Sequence, residues 1–265
     1  MAEHTKLVTI DPNGDTLIIL ENPKTWLLNP TLGQQLEVKD NTDSDIDTNS
    51  DESTAHSATE DASHESAAHE SESRPTVKFL VSSRQLRIVS SYFDSIFKGG
   101  YNETVPSPDD GLYHIKAEGW DAEAMEVTMN TVHVQVKRIP ESVSLELFVK
   151  ILILVDYYHM QDAIDSHAKL WMAQTVLSDR PTHYSAKSVY WLFLAIRMED
   201  RTLSRNMART IVTTASRPIT FQGLPFPPEL EGKKAPIYIQ KYTNSIYRRN
   251  EHSATGGVKG LAYPD

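Results

Sequence analysis

The sequence predicts an α+β fold: a small mixed sheet capped by helices, with a helical extension at the C-terminus. Three observations predict it. Apolar, β-favouring runs come early, at Leu7 to Ile10, Thr16 to Leu20 and Thr76 to Val81. From Asp121 onward apolar residues recur at helical spacing instead. The resulting order is strand, strand, strand, two short helices, strand and then helices, and segregated runs of this kind make layered α+β domains.

The first two runs flank Asp11-Pro12-Asn13-Gly14-Asp15, whose Pro and Asn-Gly supply turn geometry, so a β-hairpin is expected there. Val77, Phe79 and Val81 alternate, which places a third strand over Thr76 to Val81. Ser82 with Gln85 has the spacing of a capping box. Leu86, Val89, Phe93, Ile96 and Phe97 follow at roughly helical spacing that breaks near Ser90-Ser91, which predicts two short consecutive helices. Gly99-Gly100 ends them, Pro106 to Gly111 is a loop, and Leu112 to Ile115 is a short strand. Asp121 opens a helix with Met125, Thr128, Met129 and Val132 on one face, and Pro140 closes the turn after it. Leu145, Phe148, Val149, Leu152 and Val155 mark a helix that is apolar almost all round and belongs in the centre of the core. Ile164, His167, Ala168, Trp171 and Thr175 mark the next. In the last third, Val189, Leu192, Phe193 and Ile196 predict an amphipathic helix and Leu203, Met207 and Ile211 a second. Pro218 to Pro228 reads as irregular, Ile237 to Tyr247 as a last helix, and residues 251–265 as a flexible tail.

Charge divides the chain unevenly. The net charge is −10, yet residues 37–72 alone hold twelve Asp or Glu against the single Lys39, a net of −11. The remainder carries −2 over residues 1–36, −4 over 73–179 and +7 over 180–265. Between Glu37 and Glu72 the only larger apolar residues are Val38 and Ile46. Such a segment cannot bury enough surface to offset its ordering entropy, so residues 36–73 are expected to be a disordered acidic insert rich in Ser and His. The low mean hydropathy of −0.42 and apolar fraction of 39% fit that division. His56, His64 and His69 are compositional in this setting, whereas Thr42, Ser44, Thr48 and Ser57, each with an acidic residue three positions on, suit acid-directed kinases.

Several function classes drop out. The chain has no cysteine, which excludes disulfides, thiolate metal sites and cysteine nucleophiles. Its longest apolar run, Val189 to Ile196, is eight residues against the ~20 of a membrane-spanning helix. The N-terminus lacks the features of a secretory leader, so a cytoplasmic or nuclear address is expected. Phosphate-binding, dinucleotide-binding, zinc-protease and nucleophile-elbow motifs are all missing. His159 and His167 flank Asp162 and Asp165, but packing explains those histidines better than a metal or acid–base cluster, and Asp156 is expected to cap the following turn. No catalytic, cofactor-binding or metal-ligating residue is therefore assigned. Nucleic acid is not expected as a partner, because the −11 segment would compete for any basic surface.

Three stretches together resemble the BTB/POZ domain in its divergent fungal form: Asp11 to Leu20, Phe79 to Phe97 with Ser91-Tyr92-Phe93, and Leu145 to Tyr158 ending in Asp156-Tyr157-Tyr158. The resemblance covers roughly residues 6–35 and 74–176, and residues 180–250 are similar, less specifically, to the helical extension that follows fungal BTB domains. Many members carry His and Arg where this chain has Ser82 or Ser83 and Arg84. Only six residues precede Leu7, so the N-terminal exchange of tightly swapped BTB dimers is not expected. The resemblance implies a non-enzymatic protein–protein interaction module. Its partner would be a second copy or the cullin scaffold of a ubiquitin ligase, with the chain as adaptor. Candidate partner-binding residues are Tyr92, Phe93 and Phe97 on the helical pair and Tyr157, Tyr158 and Met160 at the end of the central helix. Separately, Arg197, Arg201, Arg205 and Arg209 recur every four residues and on one continuous helix would form a ridge for an acidic partner or for the chain's own insert. Two alternatives remain: a charge-regulated scaffold in which the insert masks that ridge, and an enzyme with a site around Asp156, His159 and His167.

Overall fold

The structure, a computed structural model, describes residues 5–24, 75–99, 105–175, 180–226 except 217 and 222, and residues 239 and 241. The expected acidic insert, the expected tail and most of the expected last helix lie outside the described residues. The fold is α+β. Its sheet contains β1 (Thr5–Thr9), β2 (Thr16–Glu21), β3 (Thr76–Val81) and β4 (Tyr113–Glu118), in the order β1-β3-β2-β4.

The expected hairpin of the first two strands does not form. Strand β3 lies between them, parallel to β1 and antiparallel to β2, while β4 runs parallel to β2 on its other side. The central place of β3 matches its burial, with Phe79 and Val81 at 0% exposure like Leu20 of its neighbour β2. The Asp11 to Asp15 turn carries the chain across the end of β3, with the amides of Ile10 and Asp11 both donating to the Leu80 carbonyl at 3.0 and 3.1 Å. Gly14 is required there because a Cβ would lie 2.6 Å from the Val81 carbonyl oxygen. The antiparallel pair is therefore β2 with β3. Glu21 stands opposite Thr76, so the chain leaves and re-enters the sheet at neighbouring residues, closed by Asn22 N–H to the Pro75 carbonyl at 3.2 Å.

Helices α1 (Ser83–Val89) and α2 (Ser91–Lys98) follow β3, as the break at Ser90 predicts. Ser90 is extended and caps α2 through its hydroxyl. The Ser82 capping box is only half made. Ser82 Oγ accepts from Gln85 N, but the Gln85 side chain donates to the Val132 carbonyl at 2.8 Å instead of reaching back, and Ser82 N–H donates to His133 Nε2 at 3.0 Å. Helix α3 (Ala122–Val132), capped by Asp121, leads through a short 3-10 turn (Val136–Arg138) to α4 (Leu145–Tyr157) and α5 (Gln161–Thr175). Helices α6 (Ala186–Arg197) and α7 (Arg201–Thr214) complete the described elements.

Helix α4 is central, as its composition demands, with Phe148, Val149, Ile151 and Leu154 at 0% exposure. Helix α6 departs from the amphipathic expectation: every residue from Ser188 to Ala195 is buried, so it forms a second central helix. Its Tyr190 and Trp191 supply the apolar surface on the side that the sequence pattern left unassigned. One hydrophobic cluster runs from Ile10 through the inner face of the sheet to Ile211, Phe221 and Ile239. No helix among the described residues is long and apolar enough to cross a membrane.

Candidate interaction surface

The residues expected to meet a partner separate into core and surface. Phe93, Tyr158 and Met160 are 1%, 4% and 0% exposed, and so they are core residues, not docking residues. Phe93 stacks on Tyr158 at 5.0 Å between ring centroids, and Tyr92 packs edge-on to both, at 5.4 and 5.2 Å. Burial pushes the Tyr158 phenol well above its ordinary range, with the neighbouring Tyr92 adding to the effect. Phe97 is half-buried against Tyr113. Tyr92 is half-buried too, and Tyr157 is the most exposed of the six, at 52%, leaning on Tyr92 and Trp120. At the end of α4, Ser90 Oγ donates to the Tyr158 carbonyl at 2.5 Å, which holds this terminus on the α1–α2 junction with the Phe93 and Tyr158 rings inside.

The arginine ridge is also broken. Helix α6 stops at Arg197, Glu199 adopts a left-handed backbone with φ of 56°, and α7 starts afresh at Arg201. Arg197 turns to the Asp156 carboxylate. Asp156 therefore does not cap the next turn; its carboxylate takes Arg197 and the Gln161 side chain. Arg201, Arg205 and Arg209 remain together on α7.

The three residues of the alternative enzymatic site have different partners. Asp156 holds Arg197, His159 Nδ1 lies 3.1 Å from the exposed Ser91 hydroxyl, and His167 packs on Trp171 at 5.9 Å. Among the described residues no group of three or more His, Cys, Asp or Glu is arranged to hold a metal ion.

Helices α3, α4 and α6 all end in the same way. In each, paired 6→1 and 5→2 amide-to-carbonyl bonds close a Schellman motif around a left-handed residue, and that residue is Val134, His159 or Glu199 instead of glycine. At Val134 the bonds are Val134 N–H to Thr131 O at 3.1 Å and Gln135 N–H to Asn130 O at 2.9 Å. The motif projects Val134 into solvent, and Val136 follows it, both 68% exposed. His133 anchors the loop from below: its Nε2 accepts from Ser82 N–H, so its Nδ1 donates to the Met129 carbonyl at 2.9 Å. Arg138 ties the other end to the Thr9 carbonyl at 2.6 Å. Sequence reasoning missed this pair of valines because nothing follows the helical pattern there except isolated apolar residues. The available signal was an absence of glycine where α3 ends.

A cavity of about 170 Å³ opens between the end of β4 and α4, lined by Lys24, Gly119, Trp120, Asp121, Lys150 and Gly223 among others. Lys150, whose side chain is only 11% exposed, bridges Asp121 and Glu146 at 2.9 Å each. Burial disfavours its charge, but the bonds to Glu146 and Asp121 outweigh that and raise its pKa above the ordinary lysine value. With Lys24 also in the lining, two lysines stand against the Asp121 and Glu146 carboxylates, so the cavity presents little net charge to a ligand.

No protein-family model matches this chain, and no curated protein matches it.

Proposed function

We propose that the protein is a non-enzymatic interaction module of the BTB/POZ type that engages a second copy or a cullin-type scaffold. The resemblance of Asp11 to Leu20, Phe79 to Phe97 and Leu145 to Tyr158 to that family supports the class. The observation that carries the reading is the Val134 and Val136 pair, large apolar side chains held in water on a loop braced at both ends by His133 and Arg138. A strained backbone kept at an exposed valine costs stability without any return in packing, which is how a binding residue differs from a structural one. Tyr157 extends the candidate surface at the end of α4.

Light scattering over a concentration series, with and without a cullin N-terminal fragment, tests this. A dimer, or a monomer that takes up the fragment's mass, supports the reading. In either case Val134→Asp with Val136→Asp should weaken the association by at least about tenfold. A monomer that takes up nothing would remove both partners.

A further inference from the structure

We propose that the chain's own acidic segment, residues 37–72, docks on the arginine face of α7. Helix α7 carries Arg201, Arg205 and Arg209 at successive turns and has no Asp or Glu among its 14 residues. Arg205 and Arg209 stand four apart, and like charges at that spacing on a helix repel at a cost of ~0.2–0.5 kcal/mol a pair, which a bound anion relieves. Arg205 and Arg209 are exposed and make no ion pair within the described residues. Arg197 is withdrawn to Asp156, so of the four regularly spaced arginines only those on α7 are left to face a partner. The occupant is set by complementarity and by tethering. Residues 37–72 carry −11, the largest local charge of the chain and opposite in sign.

The chain leaves the sheet beyond Glu21 and re-enters it at Thr76, its pairing partner, so both ends of the segment are tethered at one edge of the β2–β3 ladder. Residue 37 is thirteen positions beyond Lys24 and residue 72 three before Pro75. Thirteen residues reach at most ~45 Å when fully extended. A tether of this length holds the segment at an effective concentration on the order of millimolar, which a free acidic partner must exceed to displace it. A weak, salt-screened contact is therefore sufficient. Phosphate on Thr42, Ser44, Thr48 or Ser57 would tighten it by adding charge.

The absence of native cysteine permits a direct test on the full chain. Ser57→Cys and Thr202→Cys, the latter exposed on α7, take a donor and an acceptor dye. The expected result is high energy transfer at ~20 mM salt that falls toward the free-chain value at ~500 mM. Arg205→Glu with Arg209→Glu should weaken docking about tenfold at low salt. Replacing the insert's acids by Asn and Gln leaves α7 untouched and should give the same loss. Transfer indifferent to salt and to both sets of substitutions would overturn the proposal. Transfer seen only between copies carrying single, different dyes would also overturn it, by making the contact intermolecular.

Discussion

Val134 offers a sharp test because the sign of the effect inverts there. At an ordinary exposed helical site, glycine is less stable than alanine by ~1 kcal/mol. At a left-handed position the Cβ meets the following carbonyl, at a cost of ~1–2 kcal/mol that only glycine escapes. Val134 has φ of 56° and closes the Schellman motif of α3 while remaining 68% exposed, so truncation gives up little burial. Comparing Val134→Ala with Val134→Gly cancels that small loss, since both remove the isopropyl group. Glycine also loses more backbone entropy on folding, ~0.5–1 kcal/mol, which leaves Val134→Gly more stable than Val134→Ala by about 0.5–1 kcal/mol. For a domain of this size each kcal/mol moves the melting midpoint by ~2–4 °C. Urea titrations followed by circular dichroism give the difference from the midpoints, provided the slopes agree. Equal stability, or alanine the more stable, would refute the left-handed cap and with it the strain invoked for this loop.

The remaining predictions concern titrating and paired groups. Burial holds the His133 imidazole below its ordinary value, against the opposing pull of the Met129 carbonyl and Asp11. The unfolded chain therefore takes up the proton first, and stability should be present above about pH 6.5 and decline as pH falls toward the folded value. In urea titrations across that range His133→Gln should flatten this component of the slope. Burial raises the Asp15 carboxyl, but hydrogen bonds from the Ser83 hydroxyl and amide, at 2.6 and 2.7 Å, outweigh it and lower the pKa. Its contribution is present above about pH 4 and lost as pH falls through the folded value, and Asp15→Asn should cost about 1–2 kcal/mol at neutral pH. Lys150→Ala strands Asp121 at the mouth of the cavity and should cost about 3 kcal/mol, whereas Arg197→Ala breaks a solvated pair and should cost under ~1 kcal/mol. Equal costs in thermal melts would show that the Lys150 network is solvated.

The sequence made local structure legible and left strand pairing hidden. Ser90 and Asp121 declare their caps because N-capping is read within three residues. The pairing of β2 with β3 is not local: the partners Glu21 and Thr76 are separated by the whole insert, while the Asn-Gly turn beside β2 advertises a nearer partner. Loop-closure entropy opposes the distant partner only weakly, since each doubling of loop length costs ~0.6 kcal/mol, so the nearer turn does not dictate the pairing. The candidate surface was hidden for a related reason. Phe93 and Tyr158 are large and close in sequence to polar residues, which is equally the signature of a core junction, and they stack there beside the Ser90 bond to the Tyr158 carbonyl. Val134 and Val136 are exposed only because α3 ends in a left-handed turn without glycine, a conformation that no propensity favours for valine. It follows that the insert and the exposed valines are distinct features. The acidic segment lies in the connection between the two central strands, whose ladder closes with Glu21 opposite Thr76, whereas the exposed valines belong to the loop after α3.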